Sequence, residues 1–220
     1  MHLNQLLLFI STALLLSLAP GPDNFGVLGL GVSTGRRAAM GFALGCAAGC
    51  LNHTLLAVVG VSALLAASPI ALKAVQWMGA AYLCWIGAQI LCNVLARRGF
   101  VVTTGNAQDA DRFLPHFRRG LIANSINPKV AIFFLAFLPQ FLSPSGWPAW
   151  AQLSVLGLLF ALCAALVFGS IALGSGWIGG KLRDNPVIQN LLEATTALLF
   201  LGLAVRLICS DLRPPTARSA

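Results

Sequence analysis

Charge is what this sequence has least of. Only 9% of its 220 residues are Asp, Glu, Lys or Arg, against roughly 25% in a soluble globular domain. A chain that is also 58% hydrophobic has too little polar surface to face water on all sides. That excludes a soluble enzyme and, despite a net charge of +8, a nucleic-acid partner, because the cations lie between apolar runs and act as topology signals. Acids are scarcer still, with Asp and Glu numbering 6 together. Asp23 and Glu193 are the ones within apolar spans, too few for a carboxylate cage around a metal ion. Nucleophile, zinc-protease and phosphate-loop motifs are all missing, so no enzyme and no cofactor are expected. The six cysteines, at 46, 50, 84, 92, 163 and 209, lack the close-spaced pairs of a zinc site and read as small packing residues. No Lys or Arg precedes the first apolar run and no Ala-x-Ala site follows it, so it reads as a retained helix rather than a signal peptide.

What the chain has instead is long hydrophobic runs. A hydrocarbon core of about 30 Å needs about 20 apolar residues per crossing. Six such spans can be placed: Leu3 to Val32 (long and broken), Met40 to Ala66, Leu72 to Leu95, Gly120 to Leu142, Trp150 to Leu173 and Val187 to Cys209. Ser68-Pro69 and Asn185-Pro186 have the form of a cap followed by proline at a helix start. Ser143 to Pro148 reads as a tight turn and Ala96 to Arg119 as the one long polar loop, its Asp109 and Asp111 solvated. Arg36, Arg37, Arg97, Arg98, Arg112, Arg118, Arg119, Lys181 and Arg183 fall in alternate connections, whereas the other side holds Lys73, Arg213 and Arg218. The positive-inside rule then puts both termini outside the cytoplasm. Trp77, Trp147 and Trp150 on the outer side and Trp177 on the inner fit aromatic belts.

Three spans per half force the second half into the opposite orientation, so the expected fold is an all-α polytopic membrane protein of six transmembrane helices arranged as two inverted three-helix repeats. The repeats would cover 1–96 and 120–220, with a cytoplasmic loop at 97–119. Gly41, Gly45 and Gly49 in the second span, and Gly157, Ala161, Ala165 and Gly169 in the fifth, form small-residue stripes that admit a close neighbour. An exposed stripe of this kind is also compatible with a homodimer.

The first and fourth spans are interrupted. Leu3 to Leu18 meets Ala19-Pro20-Gly21-Pro22-Asp23-Asn24 before apolar character resumes, and Gly120 to Phe141 carries Asn124, Asn127, Pro128 and Lys129 near its middle. Proline removes a backbone donor and disfavours helix at the residue before it, so both spans should break there. A charge inside hydrocarbon costs roughly 2.5 to 3.5 kcal/mol on insertion scales and by default marks function. Freed N–H groups at a break attract a carboxylate and freed carbonyls an ammonium. Asp23 is therefore a candidate for a substrate ammonium or a coupling proton, Lys129 for a substrate carboxylate, and Asn24, Asn124 and Asn127 for freed backbone groups or ligand orientation. A direct Asp23–Lys129 ion pair holding two helices together is the structural alternative. Glu193 is either a coupling carboxylate or the partner of an inner-side cation. His53 is either a proton relay or a packed, hydrogen-bonded residue, and Arg206 reads as snorkelling to the outer interface. Cys46 and Cys50 lie one turn apart, away from either break.

These motifs resemble the LysE/RhtB family of bacterial amino acid exporters. The likeness rests on Ala19-Pro20-Gly21-Pro22-Asp23, Ser33-x-Gly35-Arg36-Arg37-Ala38, Gly79-Ala80-Ala81-Tyr82-Leu83, and above all Gly120-x-x-x-Asn124-x-x-Asn127-Pro128-Lys129 followed by Phe133-Phe134 and Pro139-Gln140-Phe141. The resemblance implies efflux of an amino acid or close derivative across the bacterial inner membrane, driven by protons and without an ATP-binding part. It implies that Pro20, Pro22, Asp23, Asn124, Asn127, Pro128 and Lys129 are the motif positions, while Glu193 matches none of them. The scarcity of acids in the spans favours a neutral or small zwitterion as substrate. A transmembrane thiol carrier would need a cysteine beside each break, and an ion or metal exporter would need several carboxylates or thiolates on one cavity.

Overall fold

Proline punctuates this chain. In the computed structural model, which describes residues 3–67, 69–96, 112–143 and 147–209, the elements are helices α1 (Leu3–Leu18), α2 (Pro22–Ser33), α3 (Arg36–Ala67), α4 (Pro69–Leu95), α5 (Phe113–Ser125), α6 (Pro128–Ile132), α7 (Ala149–Asp184) and α8 (Pro186–Cys209). Helices α2, α4, α6 and α8 each begin on a proline, where the missing N–H is one that a helix start leaves unbonded anyway. Asn185 caps α8 as expected, its Oδ1 accepting from the backbone N–H of Val187 at 3.1 Å and of Ile188 at 3.3 Å. Beyond α6 the chain changes pitch twice, through a π turn at Phe133–Phe137 and a 3-10 turn at Leu138–Phe141.

Helices α3, α4, α7 and α8 are each long and apolar enough to cross a membrane. The pairs α1–α2 and α5–α6 bend by 53° and 50° at their breaks, and counting each pair as one crossing gives six. The chain is thus an all-α polytopic membrane protein, with the first and fourth crossings broken at Pro22 and Pro128. Leucines along the outside are exposed, as are Trp77, Trp147, Trp150 and Trp177, a surface suited to lipid and its interfaces.

Glycine sets how the helices meet. Gly41, Gly45 and Gly49 of α3 run parallel to α5 and face Phe113, Phe117 and Asn124 in turn; a Cβ at Gly45 would enter the Phe117 carbonyl, and one at Gly120 the Phe42 carbonyl. This contact explains a departure from the expected boundary. Helix α5 starts at Phe113, not Gly120, because Phe113 and the buried His116 continue the groove-to-ridge packing on Gly41. The final residues of the expected 97–119 loop are therefore helical. Helices α4 and α8 pack antiparallel, with Gly79 against Leu207 and Gly87 against Leu201 and Ala197. Gln76 reinforces that pair by donating to the Leu207 carbonyl. Helix α7 lies against α1, α2 and α3 and runs to Asp184, past the expected end at Leu173. Gly35, at φ 109°, makes the turn between α2 and α3, a conformation in which a Cβ is strained.

Some sequence expectations fall outside the described residues: Ser68, the loop charges Arg97, Arg98, Asp109 and Asp111, the turn tip at 144–146, Arg213 and Arg218 in the tail, and the side chains of Lys181 and Arg183.

Candidate functional site

The two breaks meet. At about 1.5 Å per residue, α2 places its start about 18 Å, and α5 its end about 20 Å, from the same end of the bundle. Asp23 on the first turn of α2 therefore faces the last turn of α5. Its Oδ2 accepts from Asn124 Nδ2 at 2.7 Å and from Asn127 Nδ2 at 2.9 Å. Its Oδ1 is buried without a hydrogen-bond partner.

Two asparagines serve backbone that proline has broken. Asn127 Oδ1 accepts from the Lys129 N–H at 3.0 Å, capping α6. Asn24 Nδ2 donates to the Ser17 carbonyl at 2.8 Å, reaching back across the first break to the freed end of α1. The Asn124 carbonyl receives His53 Nε2 at 2.8 Å, and a carbonyl partner requires that nitrogen to carry the proton. His53 is thus packed and hydrogen-bonded, its ring 5.8 Å from that of Phe134.

Lys129 does not join Asp23 in an ion pair. Its ammonium donates to the Ala19 carbonyl at 2.8 Å, lying at the negative end of α1, and it stands 5.4 Å from the centre of the Phe200 ring. Gly21 adjoins it, a Cβ there standing 3.4 Å from Nζ, in ordinary contact. Asp23, Asn24, Asn124, Asn127 and Lys129 are each at most 9% exposed. The cavity among them measures about 10 Å³, space for about one water, so the site is closed.

Two sequence readings need correction. Cys50 does lie beside a break, its Sγ 3.6 Å from Asn124 Oδ1, because α3 packs along α5 and presents its inner face to the site. Arg206 does not simply snorkel outward; its guanidinium stands 5.3 Å from the ring centre of Phe137 and 5.5 Å from that of Phe141. Those rings belong to a cluster that sequence reasoning missed: Phe9 with Phe141 at 5.1 Å, Phe133 with Phe137 at 5.3 Å, and Phe160 at 5.1 Å from both Phe133 and Phe134. The nearest signal was the run of phenylalanines after Lys129. Glu193 stands apart from the break cluster and lines a separate cavity of about 210 Å³ with Pro20, Phe25, Ile90, Asn93 and Thr196.

Paired helix breaks that bury charged and amide side chains inside a polytopic helical bundle are the architecture of a membrane transporter. The LysE type translocator family model matches residues 14–211, and the chain belongs to that family: it is a membrane transporter of the exporter type. An uncharacterized membrane protein of Vibrio cholerae is 32% identical over 208 residues, covering 94% of this chain and 98% of the relative. A leucine efflux protein of Enterobacter sp. is 27% identical over 199 residues, covering 90% and 92%. An uncharacterized membrane protein of Pseudomonas aeruginosa is 31% identical, covering 89% and 90%. No solved structure matches the chain.

Proposed function

We propose that the protein exports a neutral amino acid, of the leucine or threonine size class, from the cytoplasm in exchange for protons, and that the two breaks are its binding and coupling site. The observation that carries this reading is the state of Asp23: a buried carboxylate with two amide donors on one oxygen and none on the other. A charge so placed is costly unless a cation or a proton completes it. A zwitterion's ammonium does so in one half-cycle and a proton in the other. Lys129 and the N-terminus of α2 then receive the substrate carboxylate, Lys129 leaving the Ala19 carbonyl as the breaks part. Leucine efflux proteins among the relatives support the size class. Among the described residues no three His, Cys, Asp or Glu side chains converge on a metal position, which favours an organic substrate over an ion. The same reading takes residues 1–96 and the block from α5 onward as inverted repeats in the bacterial plasma membrane, with both termini outside the cytoplasm.

The test is efflux of a panel of labelled amino acids from inverted vesicles, wild type beside Asp23→Asn and Lys129→Met, with and without an uncoupler. The reading requires one substrate to be moved by the wild type, to stop with the uncoupler, and to be lost in both variants while they insert normally. Transport that survives both substitutions would remove these residues from the site.

A further inference from the structure

Helix α8 serves as a ruler through the molecule. Phe200 marks the closed central site, since Lys129 lies against its ring. Arg206, about 9 Å further along at 1.5 Å per residue, sits on the phenylalanine cluster. Glu193 lies about 10 Å the other way, on the same face of α8. One side of the central site is therefore filled by aromatic rings and the other by the cavity of about 210 Å³. That cavity lies where α4 ends and α8 begins, and Asn93, which is exposed, stands at its mouth. The connection after α4 contains Arg97 and Arg98, and the last turns of α7, just before α8, contain Lys181 and Arg183, the marks of a cytoplasmic face.

The lining has a definite chemistry. Pro20, Phe25 and Ile90 give apolar walls, and Glu193, Asn93 and Thr196 give polar atoms. Thr196 donates its hydroxyl proton to the Leu192 carbonyl at 2.8 Å, leaving its oxygen as an acceptor for the cavity. Glu193 Oε2 is shielded by the protein and has no hydrogen-bond partner. A carboxylate and a hydroxyl acceptor beside apolar walls match a primary ammonium carried on an apolar body. Pro20 belongs both to this wall and to the break whose Ala19 carbonyl Lys129 holds, so the segment 19–21 is the partition between cavity and central site.

We propose that this cavity is an intake vestibule in which Glu193 binds the ammonium end of the cargo before the partition of the first break opens. Its role as intake rests on the export reading above; its preference for ammonium rests on the cavity alone. The vestibule captures substrate from the cytoplasm and raises its local concentration, while the central site carries out coupling.

The test places a single cysteine at the mouth, Asn93→Cys, in a background with the native cysteines replaced. Labelling rates are then compared for a cationic reagent, methanethiosulfonate ethylammonium, and an anionic one, methanethiosulfonate ethylsulfonate. Focusing by a single carboxylate predicts that the cationic-to-anionic rate ratio falls about tenfold on adding Glu193→Gln and stays high with Glu193→Asp, at equal membrane insertion. In the transport assay, Glu193→Gln should raise KM for the exported amino acid severalfold and leave kcat close to wild type. A rate ratio indifferent to Glu193 would overturn the ammonium site even if export is real. Charge-selective labelling with no amino acid moved on the panel would instead overturn the export reading and leave the ammonium site standing. A loss of kcat at unchanged KM would place Glu193 in coupling and overturn the intake role.

Discussion

Asn124 Nδ2 reaches Asp23 Oδ2 across 2.7 Å, and this one bond ties α2 to α5 at the level where both crossings are interrupted. Replacing Asn124 with Leu keeps the branched shape but leaves the carboxylate with Asn127 alone. Removing a partner from a buried charged group costs about 3 kcal/mol. The unfolding temperature in detergent is expected to drop clearly for Asn124→Leu, and much less when Asp23→Leu is added to it. A double variant that loses as much as the two single variants added together would show that the bond contributes nothing.

His53 is expected to act through its hydrogen bond rather than by carrying protons. Its Nε2–H holds the Asn124 carbonyl, which glutamine can also do and phenylalanine cannot. His53→Gln should keep most of the efflux rate, whereas His53→Phe should lose it. If the glutamine variant were as inactive as the phenylalanine one, a titrating role would replace the positioning role.

Gly45→Val tests the parallel α3–α5 contact. A Cβ at this position meets backbone, the Phe117 carbonyl, rather than a side chain that can turn aside. Overpacking of this kind costs about 1 to 3 kcal/mol, and the yield of monodisperse protein in detergent should fall accordingly. Gly169→Val, where the nearest atom is Met40 Sδ at 3.9 Å, should be close to neutral and serves as its control.

Arg206 stands over two rings. Arg206→Leu should lower stability by about 1 kcal/mol, the scale of a partly desolvated cation–π contact, and Arg206→Lys should restore part of it. A change of the same size on Phe141→Leu, with no further loss in the double variant, would assign the effect to that pair.

Cys50 offers a view of the site in motion. It is fully buried at the edge of the central cavity, so a water-soluble thiol reagent should not reach it in the resting protein. With Cys50 as the sole cysteine, labelling should rise when the exported amino acid and a proton gradient are both supplied. A rate unaffected by either would mean that the breaks do not open to water at α3.

The breaks were legible in the sequence because proline acts on its own backbone and the residue before it, whatever surrounds them. Asn24 and Asn127 were legible for the same local reason, since broken helix ends need side-chain partners. What Asp23 and Lys129 each bond was not legible. Which side chains meet across two helices depends on how those helices cross, and the crossing put Asn124 and Asn127, not Lys129, against Asp23. The start of α5 was hidden by His116, Arg118 and Arg119, which lower the apolar signal of a turn that is held by packing on Gly41. Cys50 was misplaced because spacing within α3 says nothing about which helix its face will meet. The aromatic cluster under Arg206 gathers rings from α1, from the π and 3-10 turns after α6, and from α7, separated by most of the chain, and no local pattern announces it.

The change of pitch after Lys129 has a mechanical consequence. A 3-10 helix rises about 2.0 Å per residue and an α-helix about 1.5 Å, so letting the four residues Leu138–Phe141 relax into α geometry shortens the strut by about 2 Å. The π turn beside it holds slack of the opposite sense. An exchange of one pitch for the other would move the arm that carries Lys129 along its axis by roughly a third of a turn without breaking its helical run, in the manner of a telescoping joint.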